Sequence, residues 1–400
     1  MNPPGGIIPK ALIVIAFAVI LGVPWMFRPK DATAPENAER LVILTPHNEP
    51  IRYEFARAFD AWHQRTHHKP VAIDWRVPGG SSEIKKLLIA QYTAAVETGR
   101  ILQTGELAPG AEPMPYDLLF GGGSFEHGEL KTKGPIVKPL GSDQPVVIPI
   151  SVPLAYSSEQ LADWYGPGEP KIGINWLYDI GDPSKNDPGQ YYLGNAVSGF
   201  GIVFNRDVLN RLGLPAPQSW TSMADPRLTG WVALADPRLS GSVATTYESI
   251  LYSYGWDEGW RILRAMCANS RYFSNTSQKV PLDVSQGQAA VGTAIDFYGR
   301  FQSQSILTPG QAPEESRVGY IDPPGATLID PDPISMLRGC PNPVIARRFI
   351  EFLMSEEGQA LWNFTKAPPT SAATENHAAA EPPLGPERFE LRRLPIRRIM

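Results

Sequence analysis

Arg271–Gln304 reads RYFSNTSQKVPLDVSQGQAAVGTAIDFYGRFQSQ, and the short elements that alternate within it decide the fold class. From Lys279 to about Gln286 the composition suits a short helix, which Gly287 breaks. Ala289–Ile295 is a small apolar strand that stops on Asp296-Phe297-Tyr298-Gly299. In an open α/β sheet the carboxyl ends of the strands border the ligand crevice, so an acid and two aromatics at such an end form a candidate site. The plainer reading makes Phe297 and Tyr298 core residues and Asp296 a cap for the next helix.

The same alternation extends on both sides. Leu41–Thr45 is a short apolar strand ending at Pro46-His47-Asn48-Glu49, and Phe55, Ala58, Phe59 and Trp62 follow at helical spacing. Val71–Val77 is a second strand, after which Gly79-Gly80-Ser81-Ser82 opens a helix through Ala95. Ser81 and Ser82 suit both an N-cap and an anion-binding turn. Tyr116–Phe120 is a third strand, followed at once by Gly121-Gly122-Gly123-Ser124. Strand and helix in alternation predict parallel βαβ units in an open α/β sheet. Asn195–Asn205, interrupted at Ser198-Gly199, reads as a strand passing between two lobes. The pattern then restarts, with Trp231–Asp236 leading through Ser240-Gly241-Ser242 into a helix over roughly Val243–Tyr254. A second α/β lobe is therefore expected.

Composition narrows the function. The 400 residues contain 42% hydrophobic residues, enough for two packed cores. A formal net charge of −5 supplies no basic footprint for nucleic acid. The 41 prolines and 36 glycines favour many turns over long helical bundles. No Gly-x-Ser-x-Gly elbow, His-Glu-x-x-His, Walker loop or Cys-x-x-Cys is present, so an enzyme is the less favoured class. His63 and His67 lie four apart and could chelate a metal, although a solvated helix end also favours imidazole there. Cys267 and Cys340 could pair, but Cys267, among Ile262, Leu263 and Met266, reads more simply as a buried thiol.

The N-terminus reads as an address. Ala11–Phe27 (ALIVIAFAVILGVPWMF) is uncharged and apolar, and as a helix it would be roughly 25 Å long, at the short end of what spans a bilayer. Ala32-Thr33-Ala34 resembles a cleavage site, yet basic residues between it and the apolar run oppose efficient cleavage. Residues 1–30 are expected to be a signal anchor holding an exported protein at the inner membrane, and 31–40 a tether. Residues 366–386 read as a Pro/Ala-rich linker, and the five arginines after Pro386 as a solvated tail or a helix docked on the second lobe.

Taken together, these segments resemble the extracytoplasmic solute-binding proteins of bacterial ABC transporters, in the ferric-ion-binding branch of the type II periplasmic fold. The resemblance covers about residues 41–365. It rests on Pro46-His47-Asn48-Glu49, on Gly199–Arg206 with Leu212-Gly213-Leu214-Pro215 and Trp220, and on Ala233-Leu234-Ala235-Asp236-Pro237 with Ser240-Gly241-Ser242. Asp296-Phe297-Tyr298 and Ala346–Gln359 complete it. It implies two α/β lobes, each a mixed open sheet flanked by helices, joined by hinge strands. One lobe would comprise 41–199 plus 317–361, the other 200–316 plus 362–400. A monomer that captures a solute by closing the lobes and then docks on a permease is implied. His47 falls on the family's His position, Phe297 and Tyr298 on its tyrosine pair with one phenolate missing, and Gly121–Gly123 on its Glu position, unless Glu126 or His127 moves in. Ser240, Gly241 and Ser242 match the anion-binding turn, and Asn275 and Asp296 match polar cleft positions. The implied ligand set is His47, Ser81, Gly122, Ser240, Gly241, Ser242, Asn275, Asp296, Phe297 and Tyr298, with no resident cofactor. Ferric iron as the transported ligand, on His47, Asp296 and Tyr298 with a synergistic anion, comes first. An organic anion such as a phosphonate, phosphate ester or carboxylate comes second.

Overall fold

The computed structural model describes residues 16–17, 37–138, 144–308, 310–366 and 384–397. The signal-anchor and tether expectations lie almost wholly outside these residues. Among the described residues no helix is long and apolar enough to cross a membrane. Glu39–Met400 forms one compact unit, and both sheets and the site belong to it.

The chain begins as expected. Strand β1 (Glu39–Leu44) leads to helix α1 (Glu49–His67), strand β2 (Val71–Arg76) to helix α2 (Ser81–Glu97), and β3 (Leu118–Phe120) to α3 (Ser124–Thr132). Helix α1 starts where the Asn48 side chain caps it and stops where His68 turns left-handed at φ 56°. Its apolar stripe, Ile51, Phe55 and Phe59, is fully buried. The Phe55 ring packs against Phe120 and Trp362, with centroids 5.6 and 4.6 Å apart. Removing that ring would cost about 3–5 kcal/mol, so this helix is held by packing rather than propensity.

After helix α4 (Ser158–Tyr165), strand β4 (Leu193–Ser198) belongs to the first sheet and β5 (Phe200–Asn205) to the second. The expected single strand is thus two strands in different sheets, divided at Gly199. The second lobe continues with α5 (Arg206–Arg211), β6 (Val232–Ala235), α6 (Gly241–Tyr254), α7 (Trp256–Ala268), β7 (Ser270–Ser274) and α8 (Lys279–Ser285). Then come β8 (Val291–Ile295), α9 (Asp296–Ser305) and β9 (Val318–Ile321). The chain returns to the first sheet as β10 (Asp330–Met336), adds α10 (Pro343–Met354) and α11 (Glu356–Asn363), and ends with β11 (Leu394–Pro395).

The first sheet has the order β11-β4-β10-β3-β1-β2, and the second β7-β6-β8-β5-β9. In each, a parallel part built from βα units meets antiparallel strands contributed by the crossing chain. The two crossings touch: Phe200 N donates to Thr327 Oγ1 at 2.9 Å, and Thr327 Oγ1 donates to Phe200 O at 2.7 Å. This is the two-lobed type II periplasmic binding fold.

Two boundaries differ from expectation. Val318–Ile321 pairs with β5, so the return crossing lies at 322–329 and not at 317. The C-terminal segment sits on the first lobe: Leu394 pairs with Val197, and Leu391 and Trp362 are buried in the first core. The reason is local chemistry. Leu391 and Arg393 alternate inward with exposed Arg392 and Leu394, which is a strand pattern that the count of arginines conceals.

Cys267 and Cys340 are free thiols in different cores, with Cys340 pushed up to about 12 by burial. The His63–His67 pair is not a chelate. His63 is fully buried, its Nδ1 lies 2.8 Å from the Lys69 carbonyl and its Nε2 lies 3.1 Å from the Arg348 guanidinium.

Candidate functional site

A cavity of about 330 Å³ lies between the lobes, where the carboxyl ends of β1 and β3 face the turns that open α6 and α8. Its first-lobe wall contains Pro46, His47, Ser81, Gly122, Asp330 and Asp332. Its second-lobe wall contains Ser240, Ser242, Asn275, Gln278, Phe297 and Tyr298. Arg393, delivered by the C-terminal segment, closes the back.

Arg393 is the centre of the polar arrangement. It is 1% exposed, and its guanidinium lies 4.5 Å from the Phe297 ring centroid and 5.3 Å from that of Trp362. Such a position between aromatic faces fixes a planar cation. It donates to Asp332 Oδ2 and, through Nε at 2.8 Å, to Ser198 Oγ. A second nitrogen also reaches Ser198. Among the described residues these contacts use three of the five guanidinium N–H groups.

Asp332 organises the rest. Burial alone would push its carboxyl up, but Arg393 and His47 together hold it below the ordinary range. As a carboxylate it only accepts, so His47 Nε2 donates to it at 2.8 Å. Gly122 N donates to its other oxygen at 3.0 Å. Among the described residues His47 Nδ1 is then buried with no partner, in a side chain that lines the cavity. Gly121 is what allows this. Its φ is 93°, and a Cβ there would fall 2.5 Å from the His47 ring. Gly121 is therefore a packing position beneath the imidazole, while Gly122 backs onto Ser81 and Gly123 onto Asp330 and Glu126. Asp330 accepts from Ser124 N at 2.9 Å and from Ser124 Oγ at 2.6 Å, and burial pushes its carboxyl up to about 7.

The second lobe supplies hydroxyls and amides. Ser240 and Ser242 face the cavity with their oxygens 3.1 Å apart. Gln278 Nε2 donates to Pro46 O and to Tyr298 Oη, each at 3.0 Å, so the second lobe grips the first at the cavity mouth. Burial pushes the Tyr298 phenol above its ordinary range.

Of the ten residues expected in the site, eight line the cavity and two do not. Gly241 faces Glu126 of the first lobe. Asp296 is 1% exposed, accepts from Phe297 N at 2.7 Å, and is pushed up to about 6 by burial against the opposing pull of Arg393 and Arg300. His47, Asp296 and Tyr298 thus do not converge as three metal ligands. His47 Nε2 is committed to Asp332, and Asp296 is off the wall. Among the described residues no group of three or more His, Cys, Asp or Glu gathers for a metal. Glu126 and His127 do not fill the gap either. Glu126 accepts from Ser81 and Ser82, and fully buried His127 lies 2.7 Å from Ser335 Oγ, its imidazole pushed down to about 4 by burial.

Sequence reasoning missed Arg393, Asp332, Asp330, Ser198 and Gln278. The only signal for the first was the inward–outward alternation of Leu391 to Leu394. For the acids it was Asp330-Pro-Asp-Pro within an apolar run, where a buried strand should carry no charge.

The chain matches the family of bacterial extracellular solute-binding proteins over residues 175–388, and it belongs to that family. The family is one of extracellular solute-binding proteins. Over 189 residues it is 28% identical to the phosphoglycerate transport regulatory protein PgtC of Salmonella typhimurium. That match spans 46% of this chain and 45% of PgtC, so the chain covers about half the length of this curated relative. In fold it is similar to the periplasmic binding protein AfuA of Actinobacillus pleuropneumoniae, solved with fructose-6-phosphate, at 18% identity and TM-score 0.56 over 80% of this chain and 81% of that one. It is also similar to the Campylobacter jejuni ferric binding protein, at 15% identity and TM-score 0.54 over 89% and 86%.

Proposed function

We propose that the protein captures an organic anion carrying hydroxyl groups, of the phosphate-ester class, for an ABC importer. The observation that supports this reading is the buried guanidinium of Arg393 at the cavity wall, immobilised by two aromatic rings and Asp332, with two N–H groups uncommitted among the described residues. A phosphate would accept from that fork. The orphan His47 Nδ1 and the row Ser240, Ser242, Asn275 and Gln278 would meet its hydroxyls, while Phe297 and Tyr298 cover its apolar face. His47 Nε2 already shares Asp332 with Arg393, which disfavours ferric iron on that nitrogen. The names of PgtC and of sugar-phosphate-bound AfuA support the same class.

The mechanism is capture without chemistry. The lobes rock about the paired crossings at Gly199 and 322–329, and ligand contacts from both walls favour the closed form by their difference in affinity. The apolar run Ala11–Phe27 would hold the protein at the membrane and raise its effective concentration near the permease.

Thermal unfolding with fructose 6-phosphate, 3-phosphoglycerate, inorganic phosphate and ferric citrate tests the ligand class. A ligand that binds only the folded state raises the melting temperature with concentration, by about 2.7 kcal/mol of stability at a hundredfold excess over Kd. Stabilisation by a phosphate ester and none by iron is expected. Stabilisation by iron with a visible charge-transfer band would overturn the reading.

A further inference from the structure

Helix α6 opens at Gly241 on the second lobe, with backbone amides that have no partner within the helix and carry its positive end. In this structure that end meets a carboxylate from the other lobe. Glu126, on α3 and 3% exposed, lies so close that a Cβ on Gly241 would fall 2.0 Å from its Oε1. Ser81 and Ser82, at the head of α2, donate to that oxygen at 3.3 and 3.1 Å. Gly241 N in turn donates to Ser81 Oγ at 3.2 Å. Amide, hydroxyl and carboxylate thus form one relay from the second lobe to the first. The backbone closes equally tightly beside it, since a Cβ on Gly80 would fall 2.5 Å from the Leu239 carbonyl oxygen. Glu126 is not on the cavity wall, so the relay stands behind the site and not in it.

Other uses of Glu126 fit less well. As an ordinary N-cap it would belong to the same segment as the helix it serves, yet it arrives from the opposite lobe. As a ligand group it would have to face the cavity. Burial pushes its carboxyl up, and its own backbone amide in the first turn of α3, the Ser82 hydroxyl, the charge of Lys85 and the Ser81 hydroxyl oppose that. Ser81 and Ser82 serve this buried acid within its own lobe, and the α6 terminus joins them through Gly241 N only when the lobes meet.

We propose that Glu126 is a built-in anion for helix α6, a latch that joins the two lobes when no solute is bound. The anion turn at Ser240–Ser242 is then served by the protein itself, and part of the closed population exists before capture. This goes beyond the ligand reading and does not depend on it, because the latch involves no solute.

The experiment measures the interlobe distance in ligand-free protein by double electron–electron resonance. Nitroxide labels are placed on Lys133→Cys and Arg264→Cys, both exposed, in a background of Cys267→Ala and Cys340→Ala. A short-distance, closed population is expected without ligand. Glu126→Gln keeps the shape and removes the charge, and should lower the closed-to-open ratio about tenfold, the scale of one charge-assisted contact. Gly241→Ala acts from the other lobe: its methyl would collide with Oε1, and its backbone is not in the left-handed region, so it should open the lobes without disturbing the helix. It also carries the test should Glu126→Gln fail to fold. Distance distributions unchanged in both variants, or a ligand-free wild type that is wholly open, would overturn the proposal.

Discussion

Two corners of the cleft offer a positive field to an anion, and they differ in what already occupies them. At the head of α6 the field comes from backbone amides, and Glu126 of the opposite lobe stands before them. At the back wall it comes from Arg393, whose partner Asp332 is shared with His47 and Gly122. The first corner is filled from within the protein. Among the described residues the second retains two guanidinium N–H groups, and the cavity it borders is also lined by His47, whose Nδ1 has no partner. A helix terminus preceded by serines therefore marks where negative charge is welcome, not whether that charge belongs to a ligand.

The largest effect should come from the back wall. Arg393→Gln removes the fork and leaves Asp332 buried without its cation, which costs about 3–5 kcal/mol of folding stability. Affinity for the stabilising phosphate ester should fall at least ~100-fold by titration calorimetry, on the scale of losing a buried charged contact. Arg393→Lys keeps the charge and loses the planar geometry, so it should fold better and still bind poorly. Full binding by Arg393→Lys would show that charge alone, and not the fork, distinguishes this corner.

A pH series sharpens the comparison, because the acids around the two corners shift in opposite directions. Asp330 is pushed up to about 7 and Asp296 to about 6, each chiefly by burial. Unfolded, both titrate near about 4. Between these values the folded state binds more protons than the unfolded state, so stability contributed at low pH is lost as pH rises towards 7. For Asp330 alone the span corresponds to up to about 4 kcal/mol. His127, pushed down to about 4 by burial, contributes with the opposite sign between about pH 4 and 6.5. The effect of Asp330 is therefore read as a difference: in urea unfolding Asp330→Asn should lose less stability than the wild type between pH 5 and pH 8. Asp332, held low, contributes with the opposite sign and only in acid, below about pH 4. An Asp330→Asn variant with the same pH profile as the wild type would contradict the assignment.

Gly121→Ala tests the support beneath the back wall. The new methyl would occupy the space of the His47 ring at a backbone angle that L-residues avoid. A loss of about 2–3 kcal/mol is expected in denaturant unfolding, together with weaker binding. The same substitution at Gly99, also at positive φ but with nothing near its Cβ position, should cost only the backbone term of about 1 kcal/mol.

The legible part of this molecule is the part whose signal is periodic. Leu41–Thr45, the helix stripe Phe55, Phe59 and Trp62, and the apolar strand Val291–Ile295 announce themselves because a repeating apolar face must be buried. The restart after residue 200 announced the second lobe for the same reason. Arg393 and Asp332 carry no such signal. They lie 61 residues apart in the chain, and each would be an error in a buried strand without the other. Their pairing is a tertiary fact, and only the fold brings them together. The tail was misplaced because an arginine count suggests solvent, whereas one of those arginines is almost wholly buried. Asp296 was misplaced in the opposite sense: it ends a strand as expected, but its carboxylate turns back onto the amide of Phe297.

The smallest effect should come from the anion turn itself. Ser242 lines the cavity and lies 3.1 Å from Ser240 Oγ, yet α6 needs neither hydroxyl as a cap, since Ser240 makes no side-chain capping bond. If an incoming phosphate lodges at Arg393, Ser242→Ala removes at most one hydrogen bond to a ligand hydroxyl, about 0.5–1.5 kcal/mol and roughly a few-fold in Kd. If the phosphate instead displaced Glu126 and sat on the turn, the same substitution would remove a contact to a charged group, about 1.5–3 kcal/mol, and affinity would fall roughly ten- to a hundredfold. Calorimetry on Ser242→Ala beside Arg393→Lys therefore ranks the two corners directly. A ratio favouring Arg393 keeps the helix terminus as the protein's own contact. A reversed ratio would make α6 the ligand's anchor and Arg393 a structural partner of Asp332.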